Sequence, residues 1–216
     1  MIIFNKTIEY KDWVFKSDLE YQFCLYLEQL QEAGFIKEFG YETVKFDLSP
    51  SVYSYYLKQL KTKVKEETEF LMRENTYQPD FPIKWSEKAK NVFYLDRNIP
   101  ITCKVTDIPF RLAKDSAIVG EENLTSYIEV KPKFEGKLKS STEFMLIQKQ
   151  LWQDKRIFVQ KVQPEILFKE TFVPDKMIAS NVYKRDSKFG TKNSSKFKFS
   201  VRTLEEYLKL RGYDNK

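Results

Sequence analysis

The chain has 216 residues, 42% of them hydrophobic and 31% charged, which suits one large domain with a real core. It contains no histidine, and that excludes Ser-His-Asp and Cys-His hydrolases, HExxH proteases and histidine-activated nucleases together. The net charge of +6 is concentrated in residues 184–202, where Lys184, Arg185, Lys188, Lys192, Lys196, Lys198 and Arg202 face the single acid Asp186.

Two cysteines, Cys24 and Cys103, make neither a disulfide framework nor a zinc cluster. No apolar run approaches the roughly 20 residues of a membrane helix. The first residues, MIIFNKTIEYKDW, carry charge too early for a secretory apolar region. The expectation is a soluble, cytoplasmic protein with no membrane partner. Without histidine, hydrolytic chemistry must rest on carboxylates, lysine and a hard cation with oxygen ligands.

In chain order, residues 17–33 predict an amphipathic helix, with Leu19, Phe23, Tyr26, Leu27 and Leu30 at spacings of three and four. Ser17 fits its N-cap and Gly34 its stop. FIKEFGYETVKFDL predicts one or two short strands. Residues 51–74 predict a second helix, with Val52, Tyr56, Leu60, Val64 and Leu71 on one side. TYQPDFPIKW is a short extended segment pinned by Pro79 and Pro82. Within 86–125, VFYLD and ITCKV fit strands and IPFRLAKDS a loop or short helix. SYIEVK predicts a strand, 141–154 a helix with Phe144, Ile147 and Leu151 on one face, and KRIFVQKV a buried strand. Residues 184–199 read as a linker, and SVRTLEEYLKLRG as a closing helix. The fold class is therefore α/β: a mixed central sheet flanked by helices. The expected organisation is an α/β domain at 1–183 with insertions at 51–74 and 86–125, and a basic linker with a short C-terminal helix at 184–216.

The segment SYIEVKPKF concentrates the chemistry. On a strand, Glu129 and Lys131 share one face while Ile128 and Val130 share the other. Pro132 has no amide hydrogen, so the ladder should end there, leaving the charged pair at the strand's C-terminal end. Phosphodiester hydrolysis needs an attacking hydroxide, charge neutralisation at phosphorus and help for the leaving oxygen. Carboxylates holding Mg²⁺ or Mn²⁺, with a lysine beside them, meet that need. Asp80, in Gln78-Pro79-Asp80-Phe81, with Glu129 and Lys131, meets this specification.

Pro79-Asp80 followed by Glu129-Val130-Lys131 resembles the signature of the PD-(D/E)xK nuclease superfamily. Within it, the chain is most similar to the endonuclease I-type Holliday junction resolvases of tailed phages. Phe15 to Glu20 resembles that family's opening helix, Thr76 to Phe81 its metal-binding aspartate segment, and Ile128 to Lys131 its Glu-x-Lys strand. Met145-Leu146-Ile147 with Gln150, then Arg156 to Val159, resembles the helix and strand that follow. Transposon end-cleaving endonucleases share the PDF and EVKP wording. The resemblance implies a restriction-endonuclease-like core in a phage-encoded protein. It implies metal ligation by Asp80, Glu129 and the Val130 carbonyl, completion of the site by Glu20, and action of Lys131 on the nucleophile. It also implies a homodimer cutting branched DNA to leave 5′-phosphate and 3′-hydroxyl ends. Lys149 and Gln150 stand where that superfamily contacts the scissile phosphate. Asp80 and Glu129 are 49 positions apart, so the segment at 86–125 must loop out, or Asp96 or Asp107 takes the place of Asp80.

Plainer explanations accompany each motif. Ser17-x-x-Glu20 fits a capping box. Glu129 and Lys131 fit a solvated charge pair on an edge strand. Pro79-Asp80 fits turn chemistry. Residues 58–69 fit a solvated helix face, or a dimer contact through Tyr56, Leu60 and Val64. A non-catalytic nucleic-acid-binding or virion-associated protein of the same fold, and a linear-duplex endonuclease, are the alternative functions. In 184–202, lysines interleaved with Phe189, Phe197 and Phe199 suit phosphate contact with base stacking. Six phosphate contacts from this strip predict a slope of about −5 for log affinity against log salt on duplex DNA, which anisotropy titrations across salt concentrations measure directly.

Overall fold

The computed structural model describes residues 7–95, 108–114, 124–133, 139–179 and 201–213. The architecture is mixed α/β. A short hairpin, β1 (Ile8–Tyr10) and β2 (Trp13–Phe15), leads into helix α1 (Asp18–Glu32). The α1 N-cap is Ser17, and the helix ends where Gly34 turns left-handed at φ 78°. There the Gly34 amide donates to the Gln31 carbonyl and the Phe35 amide to the Leu30 carbonyl, closing the helix with the two bonds of a Schellman motif.

After α1 come β3 (Ile36–Phe39), β4 (Phe46–Ser49), β5 (Val52–Gln59), β6 (Val64–Met72), β7 (Asn75–Tyr77) and β8 (Phe81–Trp85). Next follow β9 (Thr125–Val130), α2 (Lys139–Lys155), β10 (Val159–Val162), α3 (Pro164–Glu170), α4 (Asp175–Ala179) and α5 (Leu204–Leu210). The principal sheet runs β10-β9-β8-β3. The β3–β8 and β8–β9 pairs are antiparallel, while β9 and β10 are parallel and joined by α2, the crossover that a parallel pair requires.

Alternation along β9 divides two hydrophobic clusters. Ile128 and Val130 enter the larger one, which holds Phe23, Tyr26 and Leu27 of α1 together with Phe81, Ile83 and Trp85 of β8. Tyr127 turns to the smaller one, formed by Leu48, Tyr77, Phe144, Leu151 and Val159. Helix α1 thus covers one face of the sheet and α2 the other. Aromatic packing dominates the larger cluster: Tyr26 stacks on Phe172 at 4.4 Å between ring centroids, and the buried Trp85 indole N–H donates to Ser126 Oγ at 2.8 Å. Helix α1 is buried nearly all round, because α3 and α4 also pack on it, so its apolar stripe is wider than an amphipathic surface helix needs.

Residues 51–74 are not a helix. They form the antiparallel hairpin β5–β6, turned at residues 60–63 by the Leu60 amide donating to the Lys63 carbonyl. The run VYSYY is rich in β-branched and aromatic residues, and its preference for a pleated ribbon overrides the coincidental helical spacing of Val52, Tyr56, Leu60 and Val64. VFYLD is not a strand among its described residues: 91–93 make a turn, and Tyr94 forms isolated bridges to Lys90 and Phe110. Phe93, Tyr94, Phe110 and Leu124 are all buried, so the described flanks of the 86–125 segment belong to the core. ITCKV, Asp96 and Asp107 lie outside the described residues. Among the described residues no helix is long and apolar enough to cross a membrane.

The closing helix forms as expected, with a complete capping box between Thr203 and Glu206. It is docked rather than appended: Leu204, Tyr207 and Leu208 enter the larger cluster, and the Tyr207 hydroxyl donates to the Val92 carbonyl at 3.1 Å.

Glu28 ties this side together. Its buried carboxylate pairs with Lys11 and, at 2.9 Å, with Lys176, and it accepts from the Tyr10 hydroxyl at 3.0 Å. Burial alone would raise its pKa, but the hydrogen bonds from Lys11, Lys176 and Tyr10 outweigh burial and hold it below the usual glutamate range. A depressed folded-state pKa stabilises the fold above the unfolded value, and that contribution is lost as pH falls through the folded one. Glu28→Gln is expected to lower stability at pH 7 by about 1–2 kcal/mol, the half-exposed lysines being screened by water. Urea titrations repeated below about pH 4 should show the difference between wild type and variant shrinking.

Candidate active site

Strand register brings the key residues together. β8 and β9 pair from Lys84–Thr125 to Phe81–Ile128, and one further antiparallel step sets Asp80 across from Glu129. The side chain of Asp80 then locks the approach, its Oδ2 accepting the Val130 amide hydrogen at 2.7 Å. The 49 positions between the two acids do not separate them. The Trp85 amide donates to the Leu124 carbonyl at 2.7 Å, so the excursion leaves and re-enters the sheet at neighbouring points. Asp80 is held from behind as well, since the Glu42 amide donates to its carbonyl at 2.8 Å from a left-handed backbone position, φ 51°.

Glu129 and Lys131 point the same way and form an ion pair at 2.8 Å. The last ladder bond runs from the Lys131 amide to the Val162 carbonyl, and Pro132 follows it. A solvated pair on an edge strand does not describe this arrangement. β9 lies between β8 and β10, and the two side chains are only 12% and 25% exposed. Glu129 also accepts from the Tyr77 hydroxyl at 2.6 Å, on the face of the sheet covered by α2.

Glu20 is buried at the start of α1, where it serves the helix cap and acts electrostatically on Asp80. It accepts from the Ser17 hydroxyl at 2.8 Å and from the Lys16 amide at 2.9 Å, a reciprocal bond displaced by one residue from a standard capping box. It also accepts from the Tyr41 hydroxyl at 2.7 Å and acts electrostatically on Asp80. Lys16 reaches over to pair with Glu42. Cap and acidic cluster are therefore one structure.

The Asp80 carboxyl is pushed up to about 8, first by burial, then by the charge of Glu129 and of Glu20. The Val130 amide and Lys131 oppose the rise. Burial and the bond to Glu129 likewise push the Tyr77 phenol up, keeping it a donor. Among the described residues no three His, Cys, Asp or Glu side chains form a group close enough to enclose a metal ion. The chemistry of Asp80 and Glu129 nonetheless fits a divalent cation. Two hard oxygen donors on adjacent strands repel one another in a half-dry site, a repulsion that a dication relieves. Glu20, its oxygens taken by Ser17, Lys16 and Tyr41, stands behind that pair.

The remaining expected contacts are scattered. Lys149 is exposed on α2. Gln150 donates to the Leu48 carbonyl at 2.8 Å, securing β4 against α2. The Arg202 guanidinium donates to the Lys169 carbonyl at 2.5 Å. Lys184, Arg185, Lys188, Lys192, Lys196 and Lys198 lie outside the described residues. Tyr77, Tyr41, Lys16 and Glu42 were not singled out from sequence. For Tyr77 a signal existed, since it sits three residues before Asp80 inside the quoted TYQPDF segment. No local pattern marks Tyr41.

No family model, no curated protein and no solved structure matches the chain.

The crowding of carboxylates has a measurable cost to the fold. Asp80→Asn keeps an oxygen to accept the Val130 amide and removes the cost of protonating a buried acid beside Glu129 on folding. In EDTA, calorimetry should show Tm raised by roughly 2–4 °C, about 1 kcal/mol for a chain of this size.

Proposed function

We propose that the chain is a metal-dependent endodeoxyribonuclease of the PD-(D/E)xK type, hydrolysing phosphodiester bonds in branched or structured DNA. The observation that carries this is the convergence of Asp80, Glu129 and Lys131 at the ends of two central strands, secured by the Asp80–Val130 hydrogen bond. The order α1-β3-β8-β9-α2-β10, with an antiparallel triplet continued by one parallel strand, supports a restriction-endonuclease-like core.

Asp80 and Glu129 are the residues to hold Mg²⁺ or Mn²⁺, with the Val130 carbonyl next to them. Such an ion, when bound, supplies a Lewis acid for the phosphate and an acidified water. Lys131 presents an ammonium beside Glu129, where it can orient a water and stabilise charge gathering on phosphorus oxygens. Tyr77 holds Glu129 in its rotamer, and Glu20 with Tyr41 fixes the start of α1 against the site. Glu42 and the Val130 amide fix Asp80 from two sides.

The test uses a supercoiled plasmid, a synthetic four-way junction and a linear duplex, each with Mg²⁺, Mn²⁺ or EDTA. Metal-dependent nicking is expected, strongest on the junction, with 5′-phosphate and 3′-hydroxyl ends. Lys131→Ala and Asp80→Asn should each lower the rate by about 10²–10⁴-fold. Binding without nicking, unchanged in Lys131→Ala, would instead indicate a non-catalytic DNA-binding protein, and preference for the linear duplex a transposon- or restriction-type enzyme. Independently of activity, Mg²⁺ should raise the Tm of the wild type by more than that of Asp80→Asn, because only a ligand that favours the folded state shifts the midpoint.

A further inference from the structure

Glu20 acts on Asp80 from α1, and Asp80 flanks Glu129 from the β8 side. The other flank is β10, the edge strand of the sheet, and the residue it sets directly opposite Glu129 is Lys161. Residues paired across neighbouring strands share a face. The burial of the flanking pairs agrees: Val159 lies opposite Tyr127 at the smaller cluster, and Val162 opposite Val130 in the larger one. Lys161 therefore projects from the face that carries Glu129 and Lys131. The backbone beyond it is pinned to β9, by the Lys131 amide donating to the Val162 carbonyl at 2.9 Å and by the Gln163 side chain donating to the Pro132 carbonyl at 3.0 Å. Helix α2 reaches Val159, whose carbonyl accepts from the Gln148 side chain at 2.6 Å, but Lys161, two residues on, is exposed.

We infer that Lys161 is a substrate-contacting residue, its ammonium meeting the phosphate next to the one being cut, so that the nucleic-acid strand lies across the β9–β10 side of the site. The inference rests on the nuclease proposal and adds a direction to it. Electrostatics sets that direction. A phosphodiester chain is repelled by carboxylates and needs positive charge along its path. On the α1 side the cation Lys16 is already paired with Glu42, beside Glu20 and Asp80. On the β10 side the strands set two lysines, Lys131 and Lys161, around Glu129. The backbone of Lys161 stands one strand spacing, about 4.8 Å, from that of Glu129 and about two from that of Asp80. Its flexible stem thus reaches past the two acids, and Lys131 is left to the scissile phosphate. A lysine acts there as a point charge, which positions a backbone and reads no base. A lysine on an edge strand can also serve only to discourage pairing with another sheet, and the two roles differ in what its removal does.

The test is fluorescence anisotropy of a labelled four-way junction with the full chain in EDTA, from about 50 to about 200 mM KCl, followed by nicking rates in Mg²⁺. Lys161→Ala should raise Kd about 3- to 10-fold and flatten the dependence of log affinity on log salt by about 0.9, the share of one phosphate. In Mg²⁺ its KM should rise by the same factor with kcat within about twofold of the wild type, as for an interaction made equally in the ground and transition states. Lys161→Arg should restore both affinity and slope. Lys209→Ala, on the exposed side of α5, should change neither. The rise in Tm caused by Mg²⁺ should be the same in Lys161→Ala as in the wild type, because the acids are untouched. Wild-type affinity and slope in Lys161→Ala, a loss that Lys161→Arg does not restore, or an equal loss in Lys209→Ala would each overturn the inference. A chain that never nicks, yet loses this salt slope in Lys161→Ala, keeps the phosphate contact and defeats the nuclease proposal. A nicking chain whose Lys161→Ala variant binds and cuts as the wild type does the reverse, and a wild type that does not bind the junction defeats both.

Discussion

One hydrogen bond organises the site: the Val130 amide to the Asp80 carboxylate, 2.7 Å long. An amide in the last turn of pairing at a strand end normally bonds to a neighbouring strand's carbonyl. Here it bonds to a side chain, and β8 is thereby joined to β9 one residue past the end of their backbone ladder. Asp80 is drawn in against Glu129, where burial and the neighbouring charge raise the proton affinity of Asp80. The surrounding groups hold that arrangement in place. Lys131 offsets the charge of Glu129, Tyr77 bonds its second oxygen, and the backbone of Glu42, in a left-handed conformation uncommon for a side-chain-bearing residue, fixes the Asp80 carbonyl.

The core explains how such a cluster is tolerated. The larger hydrophobic cluster is an aromatic assembly spanning α1, β8, α3 and α5, with Tyr26, Phe81, Trp85, Phe168 and Phe172 fully buried. Large rigid rings contribute much apolar area for few rotatable bonds. Against that reserve, a destabilising acidic pair is a modest local loss, of the kind functional sites commonly retain.

Residues 128–131 were the most legible part of the sequence. Strand periodicity alone placed Glu129 with Lys131, and Pro132 marked where the ladder ends. Helix α1 was equally legible, because Ser17 and Gly34 state its boundaries in local chemistry. The hairpin β5–β6 was not legible, for the opposite reason. Val52, Tyr56, Leu60 and Val64 stand at every fourth position while Tyr53, Tyr55 and Leu57 stand at every second, so apolar residues fit both periods and the ribbon pairing is settled by β-propensity. Tyr41 and Glu42 had no local signature, since their roles depend on a turn after β3 that brings them beside Glu20 and Asp80. Glu20 was ambiguous in sequence because capping and clustering require the same residue at the same place.

The two long excursions, between β4 and β7 and between β8 and β9, share a geometric property. Residues 50–74 leave and return through β4 and β7, which pair with one another, and residues 86–124 leave and return at Trp85 and Leu124, which are hydrogen-bonded. Each excursion begins and ends between adjacent strands, so the ends are already closed by the sheet. The entropy of closing a loop grows only with the logarithm of its length, about 0.6 kcal/mol for each doubling. Lengthening either excursion therefore changes little in the balance that holds Asp80 to Val130. A long separation in sequence between two catalytic candidates is weak evidence against their meeting, provided that it is interrupted at a hairpin. The same argument limits what can vary: the connection from β9 through α2 to β10 joins neighbouring parallel strands, whose joined ends lie at opposite ends of the pair, and only a crossover of sufficient length serves there.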